Sequence, residues 1–414
     1  MKFIATTLFC LFSFAVFGQE VNSYRLSVKI DEKQNKLYVD GFLDIDFKGK
    51  DSITFLLWKN TVIDDVSIDG VILNYKFDKD SVKQSLFVPN ARSLLVVRNN
   101  KSNEMQSVHI SYNSTIINLI SWEGAFSEEW IELAMYCAWY PLNLNNSNYT
   151  ADLKVYLDDN YILTGSGITK KIEGYWEFKK PWKSFDIVLI ASKEIKTKVL
   201  NNGTNHIMVE YKNLSEQASD SVLNECDFAY SYFEKIFGKK DSCNLKFVLG
   251  PFRQGAGFSR KYFISVPSDN FDFYTRSVII HEIAHFWWLN ANPDTWEDWL
   301  NEGFAQYSAL LIIRERLGKE IFLKQIEDYR QEIQNTPPIM NIERNHPQSY
   351  KVLYLKGALI LYDLEQNIGT KQFNSLMHEI SIKKVKTTDE LLQTVANNVS
   401  EEISIWLENE IKNK

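Results

Sequence analysis

The 414-residue sequence predicts a multidomain α and β protein, an N-terminal antiparallel β-sandwich domain followed by a mostly α domain. Three observations predict it. Apolar residues recur with period two from residue 24 to about 195, they recur with helical period after about 215, and an Asn-Gly hairpin signal lies between the two regimes. Hydrophobic residues make up 45% and aromatic residues 14%, enough for two ordinary cores and too much for a disordered chain. A formal charge of -7 argues against a partner held through phosphate contacts, so no nucleic-acid binding is expected.

The chain opens with Met1-Lys2, an apolar run from Phe3 to Phe17, and Gly18-Gln19. One cation, a short apolar core and small or medium residues near Gly18 fit a secretory signal peptide over 1–18. The run is short for a span of ~20 residues, so the expectation is export, periplasmic or secreted, with no stable membrane span after cleavage. Cys137, Cys226 and Cys243 would remain, allowing one bridge at most, and spacing leaves a Cys226–Cys243 pairing open.

Residues 19–195 read as the β domain. Tyr24, Leu26, Val28 and Ile30 alternate with Arg25, Ser27 and Lys29, and Leu43, Ile45 and Phe47 do the same. Further runs lie at 53–58, 84–88, 93–97, 107–112 and 151–157, separated by turn residues such as Asp69-Gly70 and Pro89-Asn90. Residues 196–414 form the second unit. Two β-rich runs flank Asn202-Gly203, a pair that tolerates the positive φ of a tight hairpin. Helices are then predicted over 215–237, 275–291, 301–317, 349–367 and 371–381. Thr387 with Glu390, and Ser400 before Glu401-Glu402, announce two more.

The chemistry concentrates in this second unit. Residues 281–285 read His-Glu-Ile-Ala-His. Histidines four apart share one helix face and can clamp a single ion, while Glu282 projects beside that ion. Imidazole and carboxylate ligands with an open fourth position suit zinc, which lowers the pKa of its water so that Glu282 can act as general base. A third ligand is needed, and Glu302 follows His285 after a turn at Asn292-Pro293-Asp294. The bland alternatives are a buried helix whose histidines merely hydrogen-bond, and a solvated carboxylate at a helix N-terminus.

HEIAHFWW followed by WLNEGFAQY resembles the gluzincin peptidases of the membrane alanyl aminopeptidase and leukotriene A4 hydrolase family. The resemblance implies a thermolysin-like catalytic domain behind the β domain, zinc ligands at His281, His285 and Glu302, and a general base at Glu282. Here the spacer between His285 and Glu302 is two residues shorter than in the family pattern. The family's catalytic tyrosine falls on Tyr354 of Tyr354-Leu355-Lys356-Gly357, where a phenol would donate to an oxyanion. Tyr350 shares that helix face, so an aromatic core stripe is the alternative for both. His346 reads as a loop histidine.

One family motif is missing. The Gly-x-Met-Glu-Asn strand that anchors a substrate's α-amine corresponds to Gln254-Gly255-Ala256-Gly257-Phe258-Ser259-Arg260. Gly255 and Ala256 fit it, but Phe258 offers at most a cation–π face to an amine, and Arg260 would favour a carboxylate or the peptide backbone. The sequence therefore implies a metallopeptidase with one zinc ion acting on a peptide or protein substrate through metal-activated water. The alternatives are an aminopeptidase with a non-standard amine anchor and a catalytically silent, zinc-containing peptide-binding protein. An intact Glu282 and Tyr354 speak against the silent protein.

Overall fold

The computed structural model describes residues 20–81, 87–98, 105–116, 119–143, 148–202, 205–240 and 243–413. The expected leader and most of the expected strand 84–88 lie outside these residues. Alternation becomes sheet as expected. An eight-stranded sheet runs, edge to edge, through Ile168–Ile172, Tyr175–Ser184, Tyr149–Tyr156, Glu20–Asp31, Lys36–Asp46, Gln106–Thr115, Thr61–Ile68 and Val71–Ile72. Its pairs are antiparallel except one, because Glu20–Asp31 lies parallel to Tyr149–Tyr156 with Tyr24 opposite Ala151. Among the described residues this half also holds two smaller antiparallel sheets, one of three strands and one of five. Inward Tyr24, Leu26, Val28 and Ile30 and their partners form one apolar core, spanning residues 21–191.

A mixed sheet opens the second half, in the order Lys196–Asn201, Asn205–Tyr211, Cys243–Leu249, Phe263–Val266 and Phe258–Arg260. The first two strands form the expected hairpin, with Asn201 opposite His206. Among the described residues, one α-helix is inserted between these strands, α1 (Glu216–Phe237), and seven follow them: α2 (Phe273–Ala284), α3 (Trp299–Leu317), α4 (Lys319–Glu332), α5 (Gly357–Ile368), α6 (Thr370–Lys383), α7 (Thr388–Asn398) and α8 (Glu401–Lys412). They share a second core reaching from Ile207 to Ile411. A small cluster that includes Trp130, Val188, Val248 and Phe258 joins the halves. Among the described residues, no helix is long and apolar enough to cross a membrane. The open Cys226–Cys243 pairing falls on a side chain, that of Cys243, outside the description.

Three helices depart from the expectation for physical reasons. α2 stops at Ala284 rather than 291, because Phe286 and Trp287 bond back three residues and the His285 ring takes the Trp288 carbonyl. The apolar pattern beyond it is real, but it is a turn burying Trp287 and Trp288. α4 went unpredicted because only Phe322 and Ile326 of its 14 residues are fully buried, too thin a stripe to read. The helix expected over 349–367 begins with one π-helical segment, Lys351–Lys356, before α5.

A buried lysine gives the β half a pH dependence. Lys180 donates to the carbonyls of Ser184 and Asp186 and sits 4.2 Å from the Tyr149 ring centroid. Burial pushes its ammonium down from 10.5 to about 7; Asp186 opposes the shift and Arg260 adds to it. The unfolded chain keeps this proton until about 10.5 while the folded chain sheds it near 7, so in that window this group makes folding more favourable as pH rises. Urea unfolding should show the wild type gaining about 1 kcal/mol per pH unit relative to Lys180→Met there. Parallel slopes for the two proteins would refute the assignment.

Candidate metal centre

Asp272 caps α2, its carboxylate accepting from the Thr275 amide at 2.8 Å. The helix then carries His281 and His285 on one face, with ring centroids 4.8 Å apart. Beyond it the chain turns through Asn292-Pro293-Asp294 and re-enters as α3. Asn301 ties this short connection down: its amide nitrogen donates to the Ala291 carbonyl and its amide oxygen accepts from the Ala291 amide, both at 3.1 Å. That bracket sets the entry of α3 and aims Glu302 at the histidines. Trp288 donates to Ser308 at 3.0 Å and packs on Phe304, locking the two helices behind the site.

Glu302 Oε2 lies 3.2 Å from His281 Nε2 and 3.4 Å from His285 Nε2. The three ligand atoms all fall within 4.8 Å of one another. Their chemistry fits a divalent ion. His285 gives its Nδ1 hydrogen to the Trp288 carbonyl at 2.9 Å, which leaves a lone pair on Nε2 facing a carboxylate oxygen. Two acceptors do not face each other unless a cation or a proton stands between them. Burial opposes the imidazolium, but the charge of Glu302 pushes the His285 pKa up to about 10. Burial likewise opposes ionisation of Glu302, and the two imidazoles nonetheless hold its carboxyl well below the usual range.

Glu282 is buried one residue along from His281, and burial raises its carboxyl against the pull of the two histidines. Tyr354 sits in the π segment with its ring stacked on His281, centroids 5.7 Å apart and planes 8° from parallel. Burial, then the charge of Glu302, raises its phenol pKa well above the ordinary value, so it remains an O–H donor. Tyr350 packs on Tyr354 but is exposed, which makes it a rim residue rather than core. His346 stays in its loop, accepting from the Gln348 amide.

A cavity of about 590 Å³ runs over these groups and is walled on one side by Ala256, Gly257, Phe258 and Arg260. Of the residues expected to contact substrate, Ala256, Phe258 and Arg260 line the cavity and Gly255 does not. Gly255 faces Trp122 instead of the cleft. Arg260 is already engaged, with Nε on Asp186 at 2.8 Å and Nη1 on the Ser259 carbonyl. The Phe258 ring is taken as well, since Arg253 and Arg260 stand over it at 4.9 and 4.5 Å. Sequence reading missed Asp298 and Arg344, an ion pair at 2.9 Å that backs the Tyr354 phenol. Asp298, four residues before Glu302 on the same helical face, was the available signal.

Residues 265–408 match the peptidase family M1 domain. That match spans about a third of the chain and contains the whole metal centre. A segment of the chain is 28% identical over 144 residues to endoplasmic reticulum aminopeptidase 2 of Bos taurus, covering 31% of this chain and 15% of that protein. The M1 zinc metallopeptidase of Deinococcus radiodurans has the same fold: TM-score 0.73 at 17% identity, covering 96% of this chain and 94% of that one. Leukotriene A4 hydrolase of Saccharomyces cerevisiae superposes at TM-score 0.72 and 17% identity, with 95% and 67% covered. The M1 match takes in α2, α3 and the π segment, and so His281, Glu282, His285, Glu302 and Tyr354.

Proposed function

We propose that the protein is a zinc-dependent metallopeptidase. The observation that carries this reading is the convergence of His281, His285 and Glu302 from two helices, with Glu282 beside them and not among them. A zinc ion held there would supply Lewis acidity toward a peptide carbonyl and an acidified water. Glu282 accepts the proton of the attacking water and passes it to the departing amine, and burial lifts its carboxyl toward the range a base needs. The Tyr354 phenol donates to the developing oxyanion, and its stacking on His281 keeps it close to the reacting carbonyl. Tyr354→Phe should lower kcat by about 10²-fold while KM and zinc content hold, as for loss of one oxyanion donor. An unchanged kcat would remove the residue from the mechanism.

On mode of attack, the wall at 254–260 offers no carboxylate for a free amine. Among the described residues lining the cavity, the carboxylates are Glu282, Asp298 and Glu302, all committed to the centre itself. This supports cleavage that does not depend on a free N-terminus. The second reading, an aminopeptidase with a non-standard anchor, is favoured by a mutant of the Deinococcus radiodurans M1 zinc metallopeptidase bound to a Tyr-Ser-Ala substrate, and by a two-domain M1 zinc metallopeptidase mutant bound to L-tryptophan or L-arginine. Matched peptides with free and acetylated N-termini decide between them. Cleavage of both, abolished by chelation and restored by zinc, is expected; cleavage of free peptides alone would establish the second reading.

A further inference from the structure

The cleft wall is held from the other half of the molecule. Arg253 and Arg260 bracket the segment 254–259, and each spends its Nε on a carboxylate of the β half: Arg253 on Glu132 at 2.9 Å and Arg260 on Asp186 at 2.8 Å. Their Nη groups turn back onto the segment. Arg253 donates to the carbonyls of Gln254 and Ala256 at 3.1 and 2.8 Å, and Arg260 to that of Ser259 at 2.8 Å. The acids are fixed in turn. Glu132 also accepts from Trp130 Nε1 and Ser265 Oγ, and Asp186 from the Met135 amide. All four charged side chains are buried.

The segment so fixed lies against the catalytic base. A Cβ placed on Gly257 would stand 3.0 Å from Glu282 Cγ and 2.9 Å from Val278 Cγ1, so the Gly257 backbone is in direct contact with that side chain. The chain of contacts thus runs from carboxylate to arginine to the carbonyls of residues flanking Gly257, and Gly257 itself lies against Glu282. Stability alone does not call for this arrangement, since apolar residues join two surfaces at least as well as buried ion pairs do. What the pairs add is a defined position for the loop.

We propose that Glu132 and Asp186 are positioning residues for Glu282, acting through Arg253, Arg260 and the backbone between them. The proposal rests on Glu282 being the base. It gives the β half a part in the reaction beyond packing, with no contact to substrate.

The test uses the full chain and reads kcat, KM, zinc content and thermal midpoint for Glu132→Gln, Asp186→Asn and the paired variant Asp186→Leu with Arg260→Met. The single variants should lose about 10²-fold in kcat with KM and zinc nearly unchanged, as expected for a misplaced catalytic group. The paired variant removes both buried charges and should regain the thermal midpoint while kcat stays low. If kcat returns together with the midpoint, the pairs are structural and the proposal falls. Gly257→Ala leaves both ion pairs intact and crowds Glu282 directly, so a normal kcat there would also overturn it. A wild type that cleaves no peptide, or a Glu282→Gln variant as fast as wild type, would instead remove the underlying reading of the base.

Discussion

Glu282→Gln should slow peptide hydrolysis by about 10²–10⁴-fold while leaving the bound zinc in place, because it removes the base and keeps the shape. The amide is isosteric and stays buried between His281 and His285, so the helix that carries the ligands has no reason to move. Glutamine accepts no proton at neutral pH, and the attacking water loses the group that takes its hydrogen. The metal set excludes this residue: the atoms that converge belong to His281, His285 and Glu302. Zinc content by elemental analysis and kcat/KM on one peptide check both halves of the expectation. Loss of rate with loss of zinc would make Glu282 a structural support of the ligands. An undiminished rate would refute the mechanism, whereas a wild type without hydrolysis would leave the silent zinc-containing protein as the standing alternative.

The parts legible in the sequence are those that local spacing encodes. His281 and His285 are four apart, so any helix places them on one face, and Glu302 needed only a short turn between two helices. Strands such as Glu20–Asp31 followed from alternation, down to the inward set Tyr24, Leu26, Val28 and Ile30. What stayed hidden depends on distant partners. Arg260 looked like a free cation because Asp186, which neutralises it, is 74 residues away in the loop between strands Tyr175–Ser184 and Leu189–Ser192, and Glu132 is 121 residues from Arg253. The π segment at Lys351–Lys356 was equally invisible, since one wider turn leaves the apolar spacing nearly helical. Tyr354 could be named from its motif, but its stacking on His281 depends on how two helices cross.

That crossing gives the second large effect. Gly303 follows Glu302 on α3, and Gly357 follows the π segment that carries Tyr354; the two glycines meet. A Cβ on Gly303 would stand 3.0 Å from both Gly357 Cα and the Leu353 carbonyl oxygen. Two effects compete in Gly303→Ala. Alanine favours an α-helix over glycine by about 1 kcal/mol, which would stabilise α3. Against this, the atoms it meets belong to backbone on both sides and cannot rotate away, so the helices must separate at an overpacking cost of about 1–3 kcal/mol. The clash therefore wins, and the expected result is a lower thermal midpoint. The same separation pulls Glu302 and Tyr354 apart, because each sits within three residues of the contact. Activity should accordingly fall further than lost stability explains when measured well below the unfolding transition, with kcat more affected than KM. A raised midpoint with full activity would show that α3 can shift without disturbing the centre, and the close crossing would then have no part in holding the phenol over the metal ligands.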